Sequence, residues 1–103
     1  MTVYNKLVRD NILDILSEKG LTCKSHVASK EEYLIKLKEK LQEEVSEFLG
    51  ESNKEELADI LEVVYAIADS YGVDKAELNR LRKNKAKKRG RFIDKIILEE
   101  VFD

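Results

Sequence analysis

Apolar residues recur at helical spacing along most of the chain, and short polar residues punctuate the runs. In YNKLVRDNILDILSEKG the residues Leu7, Val8, Ile12, Leu13, Ile15 and Leu16 form one such run, closed by Gly20. It predicts a first helix of about 12 residues. Three pairs with the spacing of a capping box follow, Ser29/Glu32, Asn53/Glu56 and Asp74/Glu77. They predict helices over 30–49, 54–70 and 75–89, with Gly50, Gly72 and Gly90 near the three ends. Leu34, Leu37, Leu41 and Phe48 mark the apolar seam of the second helix, and Leu57, Ile60, Val64 and Ile67 that of the third. The stretch LTCKSHVA and the tail RFIDKIILEEVFD are less regular. Short accessory strands near 22–27 and 92–98, paired with each other, are one expectation, and a frayed helix fits the tail equally well. The fold expected is all-α, a single domain over 1–103 with a four-helix core and an antiparallel hairpin of the second and third helices.

Composition agrees with this. There is no proline, there are four glycines, and 39% of the 103 residues are charged, a balance that favours long amphipathic helices over sheet. No apolar run approaches the roughly 18–20 residues of a membrane span, and no signal-peptide core is visible at the amino end. A lone Cys23 has no partner for an internal disulfide and is expected to be a small, half-buried residue. The expected setting is therefore cytoplasmic, without a membrane partner. A short chain with two-sided amphipathic helices has a limited core, so a homodimer or homotetramer is expected.

The sharpest feature is a charge in an apolar seam. After Leu41 the next seam position is Glu44, and an unpaired carboxylate there costs on the order of several kcal/mol unless a partner, a proton or a metal offsets it. Glu47 lies one turn further along, and Glu43 at the edge of the same arc. The third helix carries Glu56 and Asp59 three residues apart. A short join near 50–52 forces the two helices antiparallel. In that register Glu47 faces Glu56 and Glu44 faces Asp59, giving two layers of carboxylates one helical turn apart. An isolated EExxE is usually a solvated face; the placement of Glu44 and the matched register argue otherwise. An all-oxygen donor set without His favours Mg²⁺, with Mn²⁺ as a substitute, over zinc or iron.

These residues resemble a known signature. Glu43-Glu44-x-x-Glu47 followed by Glu56-x-x-Asp59 is similar to the EExxE…ExxD pattern of the all-α NTP pyrophosphatase superfamily, the MazG-like and phosphoribosyl-ATP pyrophosphohydrolase-like proteins. Tyr4–Ile12 (YNKLVRDNI), Glu31–Leu49, Glu55–Ala68 and Lys87–Phe92 (KKRGRF) extend the resemblance over nearly the whole chain. It implies a helical, self-associating domain that cleaves a nucleoside triphosphate to monophosphate and pyrophosphate with Mg²⁺, possible work on non-standard nucleotides included. The implied metal ligands are Glu44, Glu47, Glu56 and Asp59. Only eight residues separate Glu47 from Glu56, shorter than in many such proteins, a departure that bears on the substrate pocket.

The chemistry is consistent with the residue types. Metal-activated water needs no nucleophilic side chain, and the catalytic group comprises Glu43, Glu44 and Glu47, with Glu43 or Glu47 as proton acceptor. Phosphate oxygens call for cations. Residues 80–91 hold eight Lys or Arg and no acid, which against a net charge of −2 leaves the rest of the chain at −10. Lys83, Lys87 and Arg89 there, with Lys6 and Arg9 near the amino end, are the candidate phosphate-binding residues. Phe48 and Tyr65 are candidates for lining a base pocket, whereas His26 has no ligand or acid at catalytic spacing. The competing expectation is a helical nucleic-acid-binding or interaction module using 80–91. The acidic body speaks against nucleic acid as the partner.

Overall fold

Each long helix starts where a polar side chain takes up a free backbone N–H. Ser29 Oγ accepts from Glu32 N at 3.2 Å, and Asp74 Oδ1 from Glu77 N at 2.9 Å. Asn53 Oδ1 accepts from Glu55 N at 2.9 Å rather than from Glu56 N, which bonds the Asn53 carbonyl instead. The computed structural model describes residues 1–103 and has four helices: α1 (Ile12–Glu18), α2 (Lys30–Glu51), α3 (Lys54–Ser70) and α4 (Lys75–Arg89). The protein is all-α.

Helix ends follow the same local logic. At Gly20 and Gly72, with φ of +75° and +76°, paired bonds close the helix in the Schellman manner: Gly20 N to Ser17 O with Leu21 N to Leu16 O, and Gly72 N to Asp69 O with Val73 N to Ala68 O. The end of α2 differs from expectation. Gly50 stays inside the helix, and Ser52 takes the left-handed conformation at φ +53° with its N–H on the Phe48 carbonyl. The join is therefore only Ser52 and Asn53, and α2 and α3 pack as an antiparallel hairpin.

Three expectations are corrected. The first helix has seven residues, not about 12. Asn5 is left-handed at φ +46° and its carbonyl accepts from Lys36 Nζ at 2.8 Å, so tertiary contacts outweigh the marginal propensity of a short helix for the segment before Ile12. Neither accessory strand forms. Residues 22–27 and 92–98 are irregular, exposed and unpaired with each other, as a two-stranded ribbon without a packing surface should be. Cys23 is exposed rather than half-buried.

The interior is small. Leu37 (2% exposed) and Val63 (8%) are the buried apolar residues, joined by Glu44 (7%). Val63 thus takes the deepest place on α3, while Leu57, expected on the seam, is 51% exposed. The backbone of α1 comes close to no other helix, and that of α4 only to α3. The radius of gyration is 18.2 Å, against about 13 Å for a compact chain of this length. No helix is long and apolar enough to cross a membrane.

Candidate metal centre

The hairpin brings one oxygen each of Glu44, Glu56 and Asp59 to within 4.8 Å of one another. Glu44 enters from the core side of α2, one turn beyond Leu41, while Glu56 and Asp59 come from the first two turns of α3 and are half-buried. The fourth expected ligand, Glu47, is exposed and lies within hydrogen-bonding reach of Glu56. Glu44 Oε2 and Glu56 Oε2 are both buried and receive no hydrogen bond. Buried acceptors without donors are uncommon, because the desolvation they suffer is uncompensated. A divalent cation among these oxygens would compensate it, and an oxygen-only donor set fits Mg²⁺ or Mn²⁺.

Electrostatics separate the carboxylates. Burial pushes the Glu44 carboxyl above the ordinary range; the Lys40 ammonium opposes the rise and the charges of Glu47 and Asp59 add to it. Glu56 is pushed up to about 7, by desolvation first, then by its contact with and the charge of Glu47, then by Asp59 and Glu44. Glu43 moves the other way. Lys6 Nζ lies 2.8 Å from its Oε1 and Lys40 Nζ 3.3 Å from its Oε2, and the Lys6 contact chiefly holds the Glu43 carboxyl low. The same contact raises Lys6. Glu43, expected as a proton acceptor, is thus the most firmly paired carboxylate of the group and serves as an anchor for two cations.

The cations divide into two sets. Lys6 and Arg9 reach the site: Arg9 Nη2 lies 2.7 Å from Asp59 Oδ1. Lys40, which also bridges to Glu44 Oε1 at 3.3 Å, completes this set. It was not singled out in the sequence, although its positions three and four residues before Glu43 and Glu44 are the spacing of helical ion pairs. Lys83, Lys87 and Arg89 are exposed and pair with no acid. Lys83 and Lys87 share a face of α4, whereas Arg89, two residues further, points about 160° away from Lys87. The three therefore do not converge on one phosphate site within this chain.

The two main hollows of the chain lie apart from the clustered carboxylates. Phe48 is half-buried in the hairpin, while Tyr65 lines a separate groove of about 290 Å³ with Glu62, Asp69 and Lys75, whose ammonium sits 4.7 Å from the Tyr65 ring centre. A larger hollow of about 410 Å³ lies between the end of α4 and the tail, around Arg89, Phe92, Asp94 and Ile96, and none of the clustered carboxylates of the hairpin lines it. His26 is exposed and bonds Glu32 at 2.9 Å. Compared with protein-family models, with curated proteins and with solved structures, the chain has no match.

Proposed function

We propose that this protein is a Mg²⁺-dependent nucleoside-triphosphate pyrophosphohydrolase whose site is the acidic hairpin of α2 and α3. The observation that carries the reading is the pair of buried acceptors without donors, Glu44 Oε2 and Glu56 Oε2, in a cluster that also contains Asp59. The similarity of the EExxE…ExxD pattern to the all-α NTP pyrophosphatases supports the same conclusion from the sequence. Glu44, Glu47, Glu56 and Asp59 would hold the metal, with Mn²⁺ as a substitute.

A bound Mg²⁺ would supply a Lewis acid that screens phosphate charge and acidifies water. The chain supplies the rest. Glu47, exposed and close to Glu56, accepts the proton of the attacking water; Glu43 keeps Lys6 and Lys40 in place; Arg9 and Lys6 receive phosphate oxygens. Water adds to phosphorus, the bond to the leaving pyrophosphate breaks, and monophosphate and pyrophosphate leave. The small core and the large radius of gyration support assembly into a homodimer or homotetramer, in which α4 of a neighbouring copy could bring Lys83 and Lys87 to the phosphates.

The test is a panel of normal and modified nucleoside triphosphates incubated with Mg²⁺, with the products resolved. Monophosphate and pyrophosphate in equal amounts are expected. Orthophosphate and diphosphate, or no turnover with any nucleotide, would overturn the reading. One observation favours a different function: none of the eight cations between 80 and 91 forms an ion pair. Salt-sensitive binding of nucleic acid with no metal-dependent turnover would support that alternative.

A further inference from the structure

Three polar contacts tie the segment before α1 to the hairpin. The Asn5 carbonyl accepts from Lys36 Nζ at 2.8 Å, Lys6 pairs with Glu43 at 2.8 Å, and Arg9 pairs with Asp59 at 2.7 Å. Helix α1, which follows, makes no close backbone approach to another helix. Lys6 and Arg9 are also two of the three cations serving five crowded carboxylates, Glu43, Glu44, Glu47, Glu56 and Asp59, with Lys40 the third. Five negative charges facing three positive ones leave an excess of two when all are ionised, the charge of one divalent cation.

Arg9 is the pivotal residue. Its guanidinium is on Asp59, one of the three carboxylates whose oxygens converge. A dication drawn to that cluster comes close to a fixed positive charge, and the two repel. The Arg9–Asp59 pair is largely exposed, with 57% and 38% of the two side chains accessible, and pairs of this kind are weak. Of the two competitors for Asp59, the guanidinium is the one that yields.

We propose that residues 4–11 form a strap that closes over the acidic hairpin through Arg9 and Lys6 and is exchanged for a divalent cation, after which Arg9 is free to bind the triphosphate. This rests on the metal-site reading above and adds a gating step to it. Metal and strap bind the hairpin antagonistically. Metal and nucleotide bind cooperatively, because the metal releases the arginine that the phosphates need.

The experiment measures Mn²⁺ binding to the whole protein by electron paramagnetic resonance and calorimetry, without nucleotide and then with a non-hydrolysable triphosphate. Arg9→Gln should bind Mn²⁺ alone several-fold more tightly than wild type, yet bind the Mn²⁺-nucleotide complex several-fold more weakly. Arg9→Lys, which keeps the charge, should stay near wild type in the first measurement. Tryptic cleavage after Arg9 should accelerate when Mn²⁺ is added to wild type and slow again with nucleotide. Circular dichroism establishes that the variants are folded, which the exposure of Arg9 favours. Mn²⁺ affinity that is unchanged or weaker in Arg9→Gln overturns the exchange, since Arg9 would then be neutral or would orient Asp59 for the metal. Failure of wild type to bind Mn²⁺ at all overturns the metal site and the strap together.

Discussion

The hairpin and α4 differ in both charge and packing. From Lys30 to Ser70 there are twelve acidic and five basic residues, and the two helices bury what core the chain has. From Arg80 to Arg91 there are eight basic residues and no acid, on a helix with no buried residue. Like charges are handled differently in the two places. In α4 they remain in water, where screening makes their repulsion small. In the hairpin they are drawn together beside a buried seam, and desolvation first, with the contact and charge of Glu47 and the charges of Asp59 and Glu44 added, moves the Glu56 carboxyl to about 7. Charge density alone is therefore a poor guide to a site; charge held out of water by an apolar scaffold is a better one.

This contrast breaks if substitutions in the two regions behave alike. Asp59→Asn removes one charge from the cluster with little change of shape, and turnover should fall about a hundredfold or more, as loss of a charge-stabilising group does. Steady-state pyrophosphate release measures it, and wild-type activity would remove Asp59 from the site. Leu37→Ala should destabilise the fold by about 2–5 kcal/mol, while Leu81→Ala on α4 should change it by less than about 0.5 kcal/mol, both read from urea unfolding.

Proton linkage sharpens the comparison further. Glu56 has its pKa raised from 4.5 to about 7 in the folded state, so between those values the folded protein binds more protons than the unfolded one. Stability from this group is fully present below pH 4.5 and is lost as pH rises through 7. Glu44, raised by burial, acts in the same direction. Metal-free protein should therefore melt at a lower temperature at pH 8 than at pH 5, and Glu56→Gln or saturating Mg²⁺ should flatten the difference. A metal-free melting temperature that climbs over this range would contradict the arrangement of carboxylates. The smallest effect belongs to α4: Lys83→Gln with Lys87→Gln should raise the Michaelis constant by less than about tenfold and leave kcat nearly unchanged.

The parts legible in the sequence were those governed by local rules. Helices α2 to α4 begin at the expected capping residues because a cap involves only the next turn. The burial of Glu44 follows from its place after Leu41 in a seven-residue pattern, and its meeting with Asp59 from the shortness of the join. What could not be read depends on residues far apart in the chain. Asn5 and Arg9 leave the helical pattern to reach Lys36 and Asp59, 31 and 50 positions away. The stretch LTCKSHVA alternates weakly like a strand, and the periodicity of the tail does not choose between strand and helix; the two do not pair with each other. Glu43 stands at the edge of the acidic arc, and the ammonium group of Lys6, 37 positions away, distinguishes it as an anchor.

The two-residue join at Ser52 and Asn53 limits how such a chain can vary in length. Adding one residue to the start of α3 would turn Glu56 and Asp59 by about 100° away from Glu44, and two residues would turn them about 200°. Lengthening both helices together by about one full turn each, roughly seven residues in all, would restore the facing. Insertions at the tip are thus filtered by rotation, not by size. Length variants of this protein that keep the acidic site should differ at the tip in steps of whole turns, while the irregular tail beyond Arg91 is free to vary one residue at a time.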